Sequence, residues 1–141
     1  MGSAGLLQEA RGQFDLVIID TPPYSGSEAG EACPLADLVL IPCRPSKFEL
    51  RSVASTLRIA KLAGTPEAVV LNQVPARGSV AEEAAADLKG RATVCPVRLG
   101  ARVAYAYATF DRRSVFEYEP NCAAAHEIEA LYRWTIKQSA N

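Results

Sequence analysis

The stretch FDLVIIDTPP, residues 14–23, decides the fold class. Its apolar run from Leu16 to Ile19 has no alternation of polar and apolar residues, which predicts a strand buried on both faces, as in a parallel sheet. The two prolines that follow cannot donate sheet hydrogen bonds, so we expect this strand, Phe14–Asp20, to end at Asp20. Ligands of open α/β sheets bind at the carboxyl ends of strands, which makes Asp20 a candidate site residue.

A carboxylate at the end of such a strand has two interpretations. It can orient a water molecule on a nucleotide-bound magnesium ion, as the second acidic motif of P-loop enzymes does. It can also simply open a turn together with Thr21, because aspartate and proline are ordinary turn residues. For an isolated aspartate the second interpretation is the better one, and only further motifs along the chain favour the first.

Composition excludes several classes of protein. The chain has 141 residues, 49% of them hydrophobic, and a formal net charge of −1, which indicates one globular domain, residues 1–141, without a bulk field for nucleic acid. No apolar run approaches the length of a membrane span, so we expect no membrane partner. The four cysteines form no C-x-x-C pair and lie among apolar or small residues, which predicts buried free thiols in a reducing cytoplasm and no metal.

Apolar runs and helix signals alternate along the rest of the chain. Further strands are predicted at residues 37–42, 68–72 and 93–97, and helices at 28–35, 46–63, 79–89 and 101–109, with a last helix capped by Asn121. Such alternation is typical of an α/β fold with a mostly parallel sheet flanked by helices. Right-handed crossovers would place Asp20 and Asn72, which follow two of these strands, on one edge of the sheet.

Four ordered motifs resemble the ParA/MinD family of P-loop ATPases. They are FDLVIIDTPP at residues 14–23, ADLVLIPCRPS at 36–46, VLNQV at 70–74 and SVFEYEP at 114–120 followed by Ala123–Glu129. The resemblance covers nearly the whole chain beyond Gln13. It implies a P-loop NTPase-like fold of the SIMIBI type and, in particular, similarity to the partition ATPases that segregate plasmids and chromosomes.

The resemblance also implies roles for individual residues. Asp20 would be the catalytic and metal-site residue, ordering a magnesium-bound water, and Thr21 would sense the γ-phosphate of ATP. Asn72 would recognise adenine, since an amide offers both a donor and an acceptor; by itself, an asparagine after a strand is more often a turn former. Such proteins dimerise around ATP and Mg²⁺, bind DNA non-specifically and work with a ParB-like partner.

The family's phosphate-binding loop has no counterpart here, because no G-x-x-x-x-G-K-[ST] motif occurs in the sequence. The fold is therefore expected to be a truncated one, similar to the C-terminal part of such an ATPase, and the chain alone is expected either to bind no cofactor or to need a partner. A second copy or a missing N-terminal half would be that partner. The alternative function is a catalytically inactive ParA-like module that binds a homologue or a partition partner without ATP turnover.

Basic residues near the C-terminus have two interpretations. Arg98, Arg102, Arg112 and Arg113 would contact DNA by resemblance to ParA-type proteins. They are also consistent with a solvated face offset by nearby acidic residues, which is the interpretation we favour. The apolar stripe of the last helix is better explained by a core-facing side than by membrane binding.

Overall fold

A computed structural model describes residues 3–22 and 26–140 of the chain. The described elements are a set of helices around two short strands, in the order α1 (Ser3–Arg11), α2 (Gly26–Ala32), a 3-10 helix (Cys33–Leu35), β1 (Val39–Cys43), α3 (Lys47–Ala63), β2 (Glu67–Leu71), α4 (Val80–Leu88), α5 (Val103–Phe110), α6 (Val115–Tyr118) and α7 (Ala123–Ser139).

The unit β1–α3–β2 forms the centre of the fold. The two strands are parallel, with Val39 opposite Glu67 and Cys43 opposite Leu71. The crossover helix α3 begins after Ser46, whose hydroxyl oxygen accepts a hydrogen bond from the Glu49 N–H at 3.3 Å. It ends at Gly64, which has the left-handed φ of 70° that favours glycine. The predicted α/β class with parallel strands is therefore confirmed, as a small two-stranded sheet flanked by helices.

A third segment runs along β2 without becoming a regular strand. The Val69 N–H donates to Thr93 O at 2.8 Å, and the Cys95 N–H donates to Val69 O at 2.8 Å. Only a single bridge, between Val69 and Val94, results from these hydrogen bonds. In a regular parallel ladder the Val97 N–H would donate to Leu71 O, but the Leu99 N–H does so instead, at 2.9 Å. The strand predicted at residues 93–97 is therefore reduced to this bridge.

The predicted strand Phe14–Asp20 is wrong. These residues are irregular, and the side chains of Phe14 and Ile18 are 64% and 83% exposed. The physical reason is pairing, since a strand exists only when its N–H and C=O groups meet a neighbouring strand. Among residues 3–22 and 26–140, none forms a sheet with this segment. Consequently Asp20 does not share a sheet edge with Asn72 through the end of a strand; Pro23 lies outside the described residues.

Two separate hydrophobic clusters hold the described elements together. The larger lies between the sheet and helices α3 and α4, and includes Ile41, Leu50, Val53, Leu57, Val69, Leu71 and Leu88. The smaller joins helices α5, α6 and α7 through Ala108, Val115, Ala124 and Ala125. No helix of the described part of the chain has the length and apolar character needed to cross a membrane.

Several helices differ from the sequence-based expectation. The last helix is capped by Cys122 and not by Asn121, and the Cys122 sulfur accepts from the Ala125 N–H at 3.4 Å. Helix α1 was not predicted, nor was the capping box at the start of α6, in which Ser114 and Glu117 bond each other's backbone N–H groups. The cap of α7 and the capping box of α6 are local hydrogen bonds at a helix end.

Candidate functional site

Asn72 lies at the carboxyl end of β2 and ties it to the end of β1. Its backbone N–H donates to Cys43 O at 2.9 Å. Its side-chain oxygen accepts from the Gln73 N–H at 2.8 Å, and Gln73 has a left-handed φ of 51°. Asn72 therefore does act as a turn former, the alternative considered from sequence. No described residue accepts a hydrogen bond from its half-buried side-chain amide nitrogen, which leaves that nitrogen available as a donor.

A cavity of about 160 Å³ has its first lining residue at Val74, two residues after Asn72, which does not itself line it. One wall is Val74, Pro75 and Ala76, and the other comes from Arg98, residues 100–102 and Glu127. Backbone hydrogen bonds hold the two walls together, since the Val74 N–H donates to Leu99 O and the Ala101 N–H donates to Val74 O, both at 2.9 Å. The cavity is therefore built by the two segments that continue from β2 and from its irregular neighbour.

Glu127 of helix α7 is the most highly connected side chain of this region. Its carboxylate accepts hydrogen bonds from the Gly100 N–H at 3.1 Å, the Tyr105 hydroxyl at 3.1 Å and the Arg102 Nε at 2.8 Å. These three donors belong to the cavity wall and to helix α5. Glu127 thus fixes the cavity wall against α7. Its partner Arg102 lies 25 residues earlier in the sequence.

Electrostatics keep this carboxylate charged. Burial by itself would raise the pKa of Glu127, but the hydrogen bonds from Arg102, Gly100 and Tyr105 outweigh it and hold the pKa below its usual value. Burial, and then the negative charge of Glu127, raises the pKa of the Tyr105 hydroxyl, which stays protonated as a donor. The cluster is therefore a fixed anion with bound donors, suited to positioning the wall and not to proton transfer at neutral pH.

The four arginines predicted as a basic cluster have different surroundings. Arg98 pairs with Glu82 at 2.6 Å and Arg102 pairs with Glu127 at 2.6 Å, so the charges of both are offset. Arg112 and Arg113 lie exposed in the turn after α5, where Arg112 has a left-handed φ of 54°. The structure thus divides the set into two neutralised arginines beside the cavity and two exposed ones after α5.

Asp20 and Thr21 are not joined to the strand ends. Both are exposed, and no described hydrogen bond or ion pair connects either of them to Asn72. Within the described ranges, no group of three or more His, Cys, Asp or Glu side chains is arranged to hold a metal ion. The structure therefore places Asn72 two residues before the cavity wall and leaves Asp20 and Thr21 in an exposed segment.

All four cysteines have free thiols, as predicted. Cys33, Cys43 and Cys95 are buried, and this burial raises the pKa of each thiol. Cys122 differs from the prediction in being only half-buried, and its sulfur serves as the helix cap of α7.

Sequence reasoning missed Glu127 and Tyr105. Glu127 lies in the segment Ala123–Glu129 that the resemblance also covers, but the resemblance implied no role for it, and Tyr105 belongs to no motif. The hydrogen-bond partners of the two side chains are 19 to 27 residues away, so no local pattern could have joined them. It also missed a larger, shallow basic cavity of about 530 Å³ between α3 and the end of α4, where the Lys61 amine donates to Arg91 O at 2.7 Å. That cavity lies away from the strand ends.

Comparison with known proteins adds no relative: no protein-family model matches this chain, and no curated protein matches its sequence significantly. The class that the fold itself defines is a mixed α/β protein built on one parallel β–α–β unit.

Proposed function

We propose that this chain carries the adenine-binding side of a ParA-like partition ATPase. One observation carries the proposal: Asn72 ends β2, is bonded to the end of β1, and precedes the cavity wall at Val74 by two residues. The carboxyl ends of parallel strands are where such folds bind their ligands. The four ordered motifs of the sequence place an asparagine of this kind in the adenine site.

The size of the cavity suits a nucleobase better than a complete nucleotide. Its volume of about 160 Å³ is smaller than the roughly 300 Å³ at which sites for drug-sized ligands begin. Adenine presents one donor and one acceptor along its edge. The Asn72 amide can meet both, because its nitrogen has no described acceptor and its oxygen retains a second lone pair.

The phosphate side would be supplied by Asp20 and Thr21. An exposed carboxylate is the kind of oxygen donor that Mg²⁺ takes up directly or through water. In the proposed function Asp20 holds that water, and ATP acts as a switch between two states that differ in affinity for DNA and for a ParB-like partner. The exposed Arg112 and Arg113 are the members of the predicted basic set that remain suited to DNA contact.

A second candidate is the catalytically inactive ParA-like module, and the position of Asp20 favours it. Asp20 and Thr21 lie in an exposed irregular segment, whereas Asn72 belongs to the sheet edge. A phosphoryl-transfer site depends on the positioning of its parts. A chain that binds the base without holding the phosphate side in place would bind adenine nucleotides or a homologous partner without turnover.

Nucleotide binding by calorimetry, with ATP and GTP compared in the presence of magnesium, tests the proposal. We expect weak binding of ATP with a preference over GTP. Asn72→Asp is the informative variant, because a carboxylate oxygen still accepts from the Gln73 N–H and preserves the turn, while the amide donor is lost. This variant should lose the preference for adenine and keep its thermal stability.

The matched control is Arg58→Ala in the basic cavity between α3 and α4, which should bind ATP as the unaltered chain does. Magnesium-dependent ATP turnover that Asp20→Ala abolishes would favour the ATPase, and binding without turnover would favour the inactive module. Equal binding of ATP and GTP, or an Asn72→Asp variant that keeps the preference, would exclude the adenine site.

A further inference from the structure

One edge of β1 is paired and the other is open. The Val39 N–H donates to Pro66 O and the Asn72 N–H donates to Cys43 O, both at 2.9 Å, so the odd-numbered residues of β1 face β2. Alternate residues of a parallel strand bond to opposite sides. The backbone groups of Leu40 and Pro42 therefore face away from β2, and no strand in the described part of the chain pairs with them.

The open edge has a defined hydrogen-bonding pattern. Pro42 has no N–H, so the edge offers one donor, the Leu40 N–H, and two acceptors, the carbonyl oxygens of Leu40 and Pro42. A parallel incoming strand meets this pattern with one carbonyl oxygen and two N–H groups on alternate residues. An unpaired apolar edge of this kind is a template for strand addition.

The same chain contains a segment that fits this edge. Residues 16–20 are as long as the five-residue β1 and consist mostly of β-branched and aliphatic residues, which favour strands. The segment has no internal proline, so every residue keeps its N–H. It is also exposed, with Ile18 at 83%, and its backbone is not part of any described sheet.

The segment and the edge begin on the same side of the molecule but do not pair within one copy. Arg11, at the end of α1, donates to Leu35 O at 2.7 Å and to the Asp37 carboxylate at 3.1 Å, just before β1 starts. This contact holds the start of the segment near the start of β1. Each copy of the chain therefore carries one apolar segment whose backbone is unpaired and one open strand edge.

We propose that two copies of this chain associate by reciprocal strand exchange, in which residues 16–20 of each copy pair in parallel with the open edge of β1 in the other. Such an interface is isologous and closes at two copies. It satisfies the outward-facing groups of Leu40 and Pro42 and removes Ile18 from water. The proposal depends on the edge of β1 and not on the nucleotide site, so it stands whether or not the chain binds ATP.

Sedimentation velocity over a range of concentrations, at constant salt and without nucleotide, tests the association. The unaltered chain should show a concentration-dependent monomer–dimer equilibrium. Ile18→Lys should be monomeric where the unaltered chain is dimeric, with at least a tenfold weaker association and an unchanged circular dichroism spectrum, because Ile18 is exposed in the single copy. Leu62→Lys is the matched control, since Leu62 on α3 is equally exposed at 82%, and it should still dimerise.

A peptide of residues 14–22 tests the mode of association. It should bind the monomeric Ile18→Lys chain, whose β1 edge is intact, at one to one, and a scrambled peptide should not. Amide hydrogen exchange should slow at Leu40 when either the peptide or the second copy binds. A chain that stays monomeric and does not bind the peptide would overturn the proposal, as would a dimer that Leu62→Lys dissociates and Ile18→Lys does not.

Discussion

Residues 16–20 and strand β1 are similar in sequence and different in structure. Both are short apolar runs followed by a polar group or proline, and both are predicted strands. In β1 the side chains of Ile41 and Cys43 are buried and the backbone pairs with β2, whereas Ile18 is 83% exposed and residues 16–20 pair with no described strand. An apolar sequence thus makes a segment able to form a strand. The strand forms only when a neighbouring strand offers free backbone N–H and C=O groups.

Local sequence signals at the two ends of helix α3 bring β2 next to β1. Ser46 starts α3 and Gly64 ends it, so the chain returns to the sheet with β2 in register. Helix α2 and the 3-10 helix lie between residues 16–20 and β1, yet this segment pairs with no strand of the described part of the chain. The predictions below test this contrast in order of decreasing effect.

The largest effect is expected from shortening a buried side chain in the paired strand β2. Leu71 is completely buried at the end of β2, so Leu71→Ala should lower the free energy of unfolding by about 2–5 kcal/mol. Ile18→Ala in the unpaired segment, measured at a concentration where the chain is monomeric, should change it by less than about 0.5 kcal/mol. Urea denaturation gives both values, and equal losses would contradict the contrast between the two regions.

A second prediction concerns Glu127, which holds residues 100–102 in place by long-range hydrogen bonds, whereas no described hydrogen bond ties residues 16–20 to another element. Its pKa is lower in the folded protein than in the unfolded chain, where a glutamate titrates near ~4.3. The stabilisation by Glu127 is therefore complete above ~4.3 and is lost as the pH falls through the folded pKa.

Glu127→Gln should accordingly be less stable than the unaltered chain at neutral pH by about 1–3 kcal/mol, because Arg102 loses its charged partner. The difference between the two proteins should shrink as the pH falls below ~4.3. Thermal unfolding at several pH values measures it. Glu129→Gln, which removes an exposed helical ion pair with Arg133, is the control and should change stability by only about 0.5 kcal/mol or less. A constant difference across the acid range would contradict this role.

The smallest effect is expected at the crossover itself. Gly64 has a φ of 70°, so Gly64→Ala places a side chain in the left-handed region and should destabilise the protein by about 1–2 kcal/mol. Gly30→Ala in helix α2, where a Cβ would meet nothing within 4 Å, should instead be neutral or stabilising by up to about 1 kcal/mol. Melting temperatures of both variants check the opposite signs, and a stabilised Gly64→Ala would show that the turn is not needed to bring β2 back.

Local signals account for what could be predicted. Helix α3 was predicted at residues 46–63 and observed at Lys47–Ala63, because a serine cap and a terminal glycine act within one helical turn of its ends. Strands β1 and β2 were predicted to within two residues, because polar residues flank their apolar runs. The expectation that Pro42 ends the first of them was wrong, since β1 continues through Pro42 to Cys43. The resemblance to ParA-like ATPases and the role of Asn72 stay predictions that the binding experiment decides.

The sequence by itself determined where α3 begins and ends and which segments are apolar enough to be strands, since these depend on residues close along the chain. Only the tertiary structure decided which apolar segment pairs, because pairing depends on a free backbone edge elsewhere in the molecule. The same reason applies at the candidate site. Asn72 could be placed from its strand, whereas the Glu127 cluster joins residues far apart in sequence, and long-range hydrogen bonds leave no pattern along the chain.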